Sequence, residues 1–202
     1  MLTIGFDLDM TLIDTSSAIV YSVDKALNEI GYNSPSNLIE SSIGLPMLET
    51  LESLLKNPEK ARNVYERYQE IYFSDGFRLG TLLPGVEKTL KLLNQDGHKI
   101  VIVTAKRERL ALRQLSFCNI PYDILKAGCF GKMKSKAMLE YSVEAYVGDH
   151  LEDFKAAKDA GVFFVGVSFN RFSRLEEFLP SNELLIDNFE KLIPLITKLI
   201  KG

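Results

Sequence analysis

The sequence predicts an α/β protein: a Rossmann-like, doubly wound parallel sheet with a small all-helical subdomain inserted after the first strand. Apolar runs of strand length recur at "LTIGF", "KIVIV", "AYV" and "VFFVGV", with a weaker one at "LLI". Helical patterns separate them, and strands alternating with helices favour a parallel sheet covered on both faces. Residues 15–79 break that rhythm, because they hold no strand pattern and read as helix after helix. The expected division is a core of residues 1–14 and 80–202 and a helical subdomain of residues 15–79.

Each element carries its own signature. "LTIGF" is a continuous apolar run, as a strand buried on both faces requires, and Asp7 and Asp9 follow at once. In the inserted segment Ile19, Val23, Leu27 and Ile30 repeat at helical spacing and stop at Gly31. Leu48, Leu51 and Leu55 come next, and after the break at Pro58 follow Ala61, Val64, Tyr68 and Ile71. In "PGVEKTLKLLNQDG", Val86, Leu90 and Leu93 share a face, Pro84 and Gly85 mark the start, and Gly97 suits a C-terminal cap ahead of "KIVIV". "EKLIPLITKLIKG" reads as an amphipathic closing helix.

With 202 residues, 46% hydrophobic and 25% charged, the chain is long enough to bury a sizeable core and has no mark of disorder. No apolar stretch approaches the length needed to span a bilayer, so no membrane partner is expected. A net charge of -3 leaves no electrostatic footprint for nucleic acid, and "GKMKSK" is the one dense basic cluster. The N-terminus is acidic where a secretory leader would be basic and then apolar, so the expected compartment is the cytoplasm. There Cys118 and Cys129 are expected as reduced thiols. Monomer and homodimer are both compatible with the sequence.

The polar groups collect at strand ends: "LTIGF" runs into Asp7 and Asp9, "KIVIV" ends at Thr104, and "AYV" ends at Gly148 and Asp149. In an open parallel sheet the carboxyl ends of the strands line one edge, and ligands bind there. Carboxylates crowded at that edge repel one another, which raises at least one pKa unless a divalent cation neutralises them. Mg²⁺ is the natural cation, being hard, content with a few carboxylates and able to keep water or phosphate oxygens elsewhere. No His or Cys cluster offers a zinc site. His98, just before a strand, is expected on the surface; His150 follows Asp149 directly but is not assigned to the site.

Three motifs stand in order on those strand ends. "FDLDMT" resembles the first motif of the haloacid dehalogenase-like (HAD) superfamily, D-x-D-x-T after an apolar strand. "IVIVTAK" looks like the second, an apolar strand ending in Thr or Ser, and "YVGDHLED" resembles the last, G-D-x-x-x-D. The resemblance runs from Met1 to about Phe169. It implies a phosphatase in which Asp7 is the nucleophile that takes the phosphoryl group and Asp9 the general acid and base. Asp149 would ligate Mg²⁺ together with Asp7 and the main-chain carbonyl of Asp9, and Asp153 would be a ligand or the partner of one. Thr104 would donate its hydroxyl to the phosphate, with Ala105 and a lysine beside it, and Thr11 would hold the turn. The chemistry agrees, since a carboxylate nucleophile gains from a clamped phosphoryl group and a second carboxyl can protonate the leaving oxygen.

The lysine comes from "GKMKSKAMLEYS", which offers Lys132, Lys134 and Lys136. On a helix, Lys134 shares its face with Ala137, Met138 and Tyr141, whereas Lys136 shares its face with Glu140, so Lys134 is the choice. Two departures from the family pattern stand out. Met10 occupies a position usually held by glycine, and Ala105 one where many relatives carry asparagine.

The insertion resembles the helical cap of the phosphoglycolate phosphatase-like branch, and "SIGLP" resembles a short element of such caps. A cap that closes would exclude water and select the leaving group, with Leu12 to Thr15 and Phe77 to Thr81 as hinges. The leading reading is a Mg²⁺-dependent phosphatase acting on a small-molecule phosphate ester. A phosphosugar mutase uses the same residues, and a non-catalytic regulatory protein with a degenerate site is a second alternative. A dehalogenase is disfavoured because that branch lacks the second Asp of the pair, and a receiver domain because "KIVIV" ends in Thr104.

Overall fold

The computed structural model describes residues 1–33, 36–168, 170, 173–181 and 183–201; Phe169, where the resemblance is expected to end, lies outside them. In chain order, β1 (Thr3–Phe6) and the short β2 (Ile13–Asp14) lead into α1 (Ser16–Glu29), α2 (Ser36–Ser41), α3 (Met47–Leu55) and α4 (Pro58–Ser74). A 3-10 turn at Gly76–Leu79 brings the chain to β3 (Thr81–Leu82), α5 (Val86–Gln95), β4 (Lys99–Val103) and α6 (Glu108–Phe117). Then follow β5 (Ile124–Lys126), α7 (Lys132–Glu140), β6 (Ala145–Gly148), α8 (Leu151–Ala160) and β7 (Phe163–Val167). Last come α9 (Leu175–Phe178), β8 (Leu184–Ile186) and α10 (Leu192–Lys201).

Six strands form one parallel sheet in the order β5-β4-β1-β6-β7-β8. From β1 the chain builds outward through β4 and β5, then crosses to β6, β7 and β8. The order therefore reverses beside β1, and the crevice of such a sheet opens at that switch point. The pairing runs one residue beyond the strand, where the Asp7 N–H donates to the Val147 carbonyl at 2.9 Å.

Strand residues alternate between two cores. Phe6, Ile102, Val147 and Val165 pack with α5, α6 and α10, whereas Val101, Val103, Tyr146 and Phe164 pack with α7 and α8. Both faces are covered, as the apolar runs predict. His98 corrects one expectation: it is buried, not at the surface, and its Nδ1 accepts the Leu2 N–H at 3.2 Å. The imidazole ties the start of the first strand to the start of its neighbour. Cys118 and Cys129 are free thiols.

Helices α1 to α4 bury a separate core of their own around Val23, Leu27, Leu51, Val64 and Tyr72. The sequence punctuates this unit clearly. Pro58 opens α4 at its first position, and the side chain of Asn57 caps it by accepting the Lys60 N–H at 3.0 Å. Such a cap contributes about 1 kcal/mol. The two crossings between the helical unit and the sheet lie side by side as an antiparallel pair, Ile13 with Leu82 and Asp14 with Thr81. No helix among the described residues is long and apolar enough to cross a membrane.

Helix α4 and the 3-10 turn after it lie on α6 and its N-terminal cap through a row of aromatic contacts. The guanidinium of Arg109 sits 3.7 Å from the centroid of Phe73, that of Arg113 4.2 Å from Phe77, and that of Arg107 4.9 Å from Tyr65. One buried hydrogen bond crosses the same interface, from the Tyr72 hydroxyl to Gln114 Oε1 at 2.8 Å. Met10 and Leu110 belong to the sheet unit by sequence, yet their side chains join the helical core.

Candidate active site

The switch point collects the strand-end residues. Asp7, Asp149 and Asp153 are all buried, and a carboxylate oxygen from each lies within 4.8 Å of the others. Lys134 reaches them from α7, with Nζ 2.8 Å from Asp7 Oδ1 and 2.6 Å from Asp153 Oδ1. The helix-face argument thus picks the lysine that is buried; Lys132 and Lys136 are exposed.

The last motif folds into this geometry for identifiable reasons. A Cβ on Gly148 would meet the Asp153 side chain at 2.6 Å, so the glycine is what lets that carboxylate lie against the strand. Asp153 Oδ2 accepts the His150 N–H at 3.2 Å, and His150 Nδ1 accepts the Glu152 N–H at 3.2 Å, which together cap α8. Thr11 does more than hold its own turn: its hydroxyl donates to Asp149 Oδ1 at 2.8 Å and joins the first loop to the third. Ser173 donates to the Asp149 carbonyl at 3.1 Å and Asn170 to the Met10 carbonyl at 2.8 Å, fixing both loops from behind.

Met10 has a φ of 63°, in the left-handed region that glycine occupies freely. The departure from the family pattern therefore keeps a glycine-like backbone under a methionine side chain. That side chain is spent on the helical core.

Burial dominates the electrostatics. It raises the Asp7 carboxyl to about 7, with the charges of Asp153 and Asp9 adding and Lys134 opposing. Asp149 is pushed well above the usual carboxylate range, first by burial and then by Asp7 and Asp153. Burial acts to lower Lys134, but the charges of Asp153 and Asp7 outweigh it and the ammonium is held well above its ordinary value. Three buried carboxylates thus face one ammonium, an arrangement with surplus negative charge. Hard oxygen donors in such a surplus fit Mg²⁺.

Asp9 stands apart from that cluster. Its Oδ1 accepts from the Thr15 hydroxyl at 2.8 Å, and Lys106 Nζ lies 2.8 and 2.9 Å from its two oxygens. The Lys106 ammonium sits 4.3 Å from the centroid of the Tyr72 ring, on α4. Thr104 is buried at the end of β4; its Oγ1 accepts the Lys106 N–H at 3.2 Å, which leaves the hydroxyl proton to donate. Ala105 beside it is exposed.

A cavity of about 220 Å³ joins these groups. Asp7, Asp9, Thr104, Lys134 and Asp149 form its floor, and Ile43, Met47, Tyr68 and Gln69 of the helical unit form its roof. His150 also lines it, beneath Gly44 of "SIGLP". Gly44 has a φ of 95°, and a Cβ there would meet the imidazole at 3.2 Å.

Sequence reasoning missed Lys106, Thr15, Tyr68 and Gln69. Lys106 carried a signal, a cation two residues beyond a strand-end acceptor. The residues of α4 carried none, because only the fold brings that helix over the sheet edge.

Comparison with known proteins agrees with this geometry. The model of the haloacid dehalogenase-like hydrolase family matches residues 4–167. A phosphoglycolate phosphatase of Pseudomonas fluorescens (strain Pf0-1) is 32% identical over 216 residues, covering 94% of this chain and 77% of that protein. One from Vibrio parahaemolyticus is 27% identical over 218 residues, covering 96% of this chain and 95% of that protein. The structure of a haloacid dehalogenase-like family hydrolase from Streptococcus pneumoniae superposes with a TM-score of 0.84 at 18% identity, covering 97% of this chain and 98% of that one. The chain belongs to the haloacid dehalogenase-like hydrolase family. Within it, the chain falls in the phosphoglycolate phosphatase-like branch and is an enzyme.

Proposed function

We propose that this protein is a Mg²⁺-dependent phosphatase that hydrolyses a small phosphomonoester through an aspartyl phosphate on Asp7. The observation that carries the reading is the convergence of Asp7, Asp149 and Asp153 on Lys134 at the switch point. Asp7, Asp149 and the Asp9 main-chain carbonyl would hold the metal, with Asp153 as a further ligand or as the anchor of Lys134. When bound, Mg²⁺ neutralises the acids and polarises the phosphoryl oxygens.

The chain's own residues divide the remaining work. Lys134 and the Thr104 hydroxyl bind the phosphoryl oxygens and hold phosphorus in line with an Asp7 oxygen. Asp7 bonds to phosphorus as the ester P–O bond breaks, and Asp9 gives the leaving oxygen its proton. Asp9 then takes a proton from water as that water attacks phosphorus, the bond to Asp7 breaks, and phosphate leaves. Residues 15–79 would serve as a cap over a core of residues 1–14 and 80–202, and the cavity they share suits a compact ester.

The test is phosphate release from p-nitrophenyl phosphate with Mg²⁺ present and with it chelated. Asp7→Asn is expected to abolish release while keeping the fold. Turnover by that variant at the parent rate contradicts the nucleophile assignment.

A further inference from the structure

Two buried ammonium groups line the cavity, and the phosphoryl chemistry employs Lys134. Lys106, in the loop after β4, has no part in it. Its main chain is tied on both sides: the N–H donates to Thr104 Oγ1 at 3.2 Å, and the carbonyl accepts the Gly128 N–H at 2.9 Å. Its side chain is 4% exposed, and its Nζ meets both oxygens of Asp9, at 2.8 and 2.9 Å. The Tyr72 ring covers the same ammonium, with the centroid 4.3 Å away. That ring is itself pinned, because it is fully buried and its hydroxyl donates to Gln114 Oε1 on α6 at 2.8 Å.

A buried ammonium holds on to its counter-charge, since breaking such a pair costs about 3–5 kcal/mol. Among the described residues that counter-charge is Asp9, so the contact fixes the Asp9 carboxylate in one orientation. Oδ1 accepts from Lys106 and from the Thr15 hydroxyl, whereas Oδ2 accepts from Lys106 alone among the described residues. Oδ1 is thus the anchored oxygen and Oδ2 the one freer to exchange a proton. We infer that Lys106 is a positioning residue for the acid–base work of Asp9, and that Tyr72 acts on Asp9 through it. This role rests on the phosphatase reading and deepens it. Asp9 gives its proton to the ester oxygen as the P–O bond breaks, and Lys106 stays an ammonium throughout. Direct binding of the ester by Lys106 is the competing role. Against it, two of the three donors of the ammonium are spent on Asp9 and the ring covers it.

A misaimed acid slows an ester in proportion to how much its leaving oxygen needs the proton. p-Nitrophenolate departs readily without one, phenolate less so, and benzyl alkoxide hardly at all. p-Nitrophenyl, phenyl and benzyl phosphate therefore form the test, assayed with Mg²⁺ as kcat/KM, which stops at departure of the alcohol and leaves the later attack of water out. Lys106→Met is expected to raise the ratio of p-nitrophenyl to benzyl phosphate turnover by about tenfold or more. Tyr72→Leu is expected to raise it in the same sense, whereas Tyr72→Phe, which keeps the ring, leaves it at the parent value. In an Asp9→Asn background, Lys106→Met is expected to widen the ratio no further. Thermal denaturation shows which variants are folded, and if Lys106→Met is not, the Tyr72→Leu and Tyr72→Phe pair decides. Equal losses on the three esters in folded Lys106→Met, or a rise in KM alone, overturn the positioning role and leave the phosphatase reading standing. Further widening in the Asp9→Asn background overturns the route through Asp9. Equal ratios in Tyr72→Leu and Tyr72→Phe overturn the part of the ring. Absence of Asp7-dependent turnover of every ester overturns the phosphatase reading and this role with it.

Discussion

Lys106 holds Asp9 by both carboxylate oxygens, its ammonium 2.8 Å from Oδ1 and 2.9 Å from Oδ2. The Tyr72 ring of α4 lies against the same ammonium. One ion pair therefore joins the first loop, the end of β4 and the helical roof. An Asp9 engaged in this way is aimed by Lys106 and Thr15, and in the proposed acid–base role it would release one oxygen to reach a leaving group.

The pair is open to a double-mutant cycle. Lys106→Met and Asp9→Asn are each expected to lower stability in urea denaturation. The double variant should lose less than the sum, with a coupling of about 1–3 kcal/mol. Additive losses would mean that the contact contributes nothing.

The proposed metal site is open to test through its buried acids. In the metal-free fold Asp7 is raised from its ordinary 3.8 to about 7 by burial, so the folded state keeps a proton that the unfolded chain loses. The contribution of Asp7 to metal-free stability accordingly falls as pH rises from about 4 to about 7. Mg²⁺ needs the deprotonated carboxylates, so it should raise the melting temperature more at pH 8 than at pH 5. At a hundredfold excess over Kd the gain is about 2.7 kcal/mol. Equal shifts at the two pH values, or none, would contradict this placement of the metal.

Met10 tests how backbone and packing compete. Replacement by glycine relieves a left-handed conformation that costs roughly 1–2 kcal/mol, but it removes a buried side chain worth about 2–5 kcal/mol. Met10→Gly is therefore expected to destabilise by about 1–3 kcal/mol. A stabilised variant would show that the side chain adds little to the helical core.

The interface between α4 and α6 has its own probe. Tyr72→Phe keeps the ring beside Lys106 and deletes the hydroxyl, which leaves the fully buried Gln114 Oε1 unpaired. The expected loss is about 1–3 kcal/mol in chemical denaturation. No change would indicate that water replaces the hydroxyl.

The sequence disclosed what depends on period and on strand ends. The parallel strands were legible because "KIVIV" and "VFFVGV" are apolar on both faces. Lys134 was legible because its helical neighbours Ala137 and Met138 are apolar, and the fold buries all three. What stayed hidden depends on tertiary placement. β5 is three residues long and only half-buried, and β2 and β3 are two residues each, too short for a period to register. His98 looked like a surface imidazole because nothing local shows that the N-terminal strand packs beside it. Tyr68 followed the helical period and reads as core, whereas Gln69 breaks no pattern; only the seating of α4 over the sheet edge makes them roof residues. Lys106 had only its spacing from Thr104 to mark it, because the polar run "AKRER" around it gives no sign of burial.

The aspartyl phosphate itself is the most direct test. Enzyme quenched in acid during turnover of p-nitrophenyl phosphate with Mg²⁺ should include a fraction heavier by one phosphoryl group, carried by the peptide that contains Asp7. Asp7→Asn should show neither the added mass nor phosphate release. Wild-type phosphate release by Asp7→Asn, or an added group mapped to any other residue, would contradict the account.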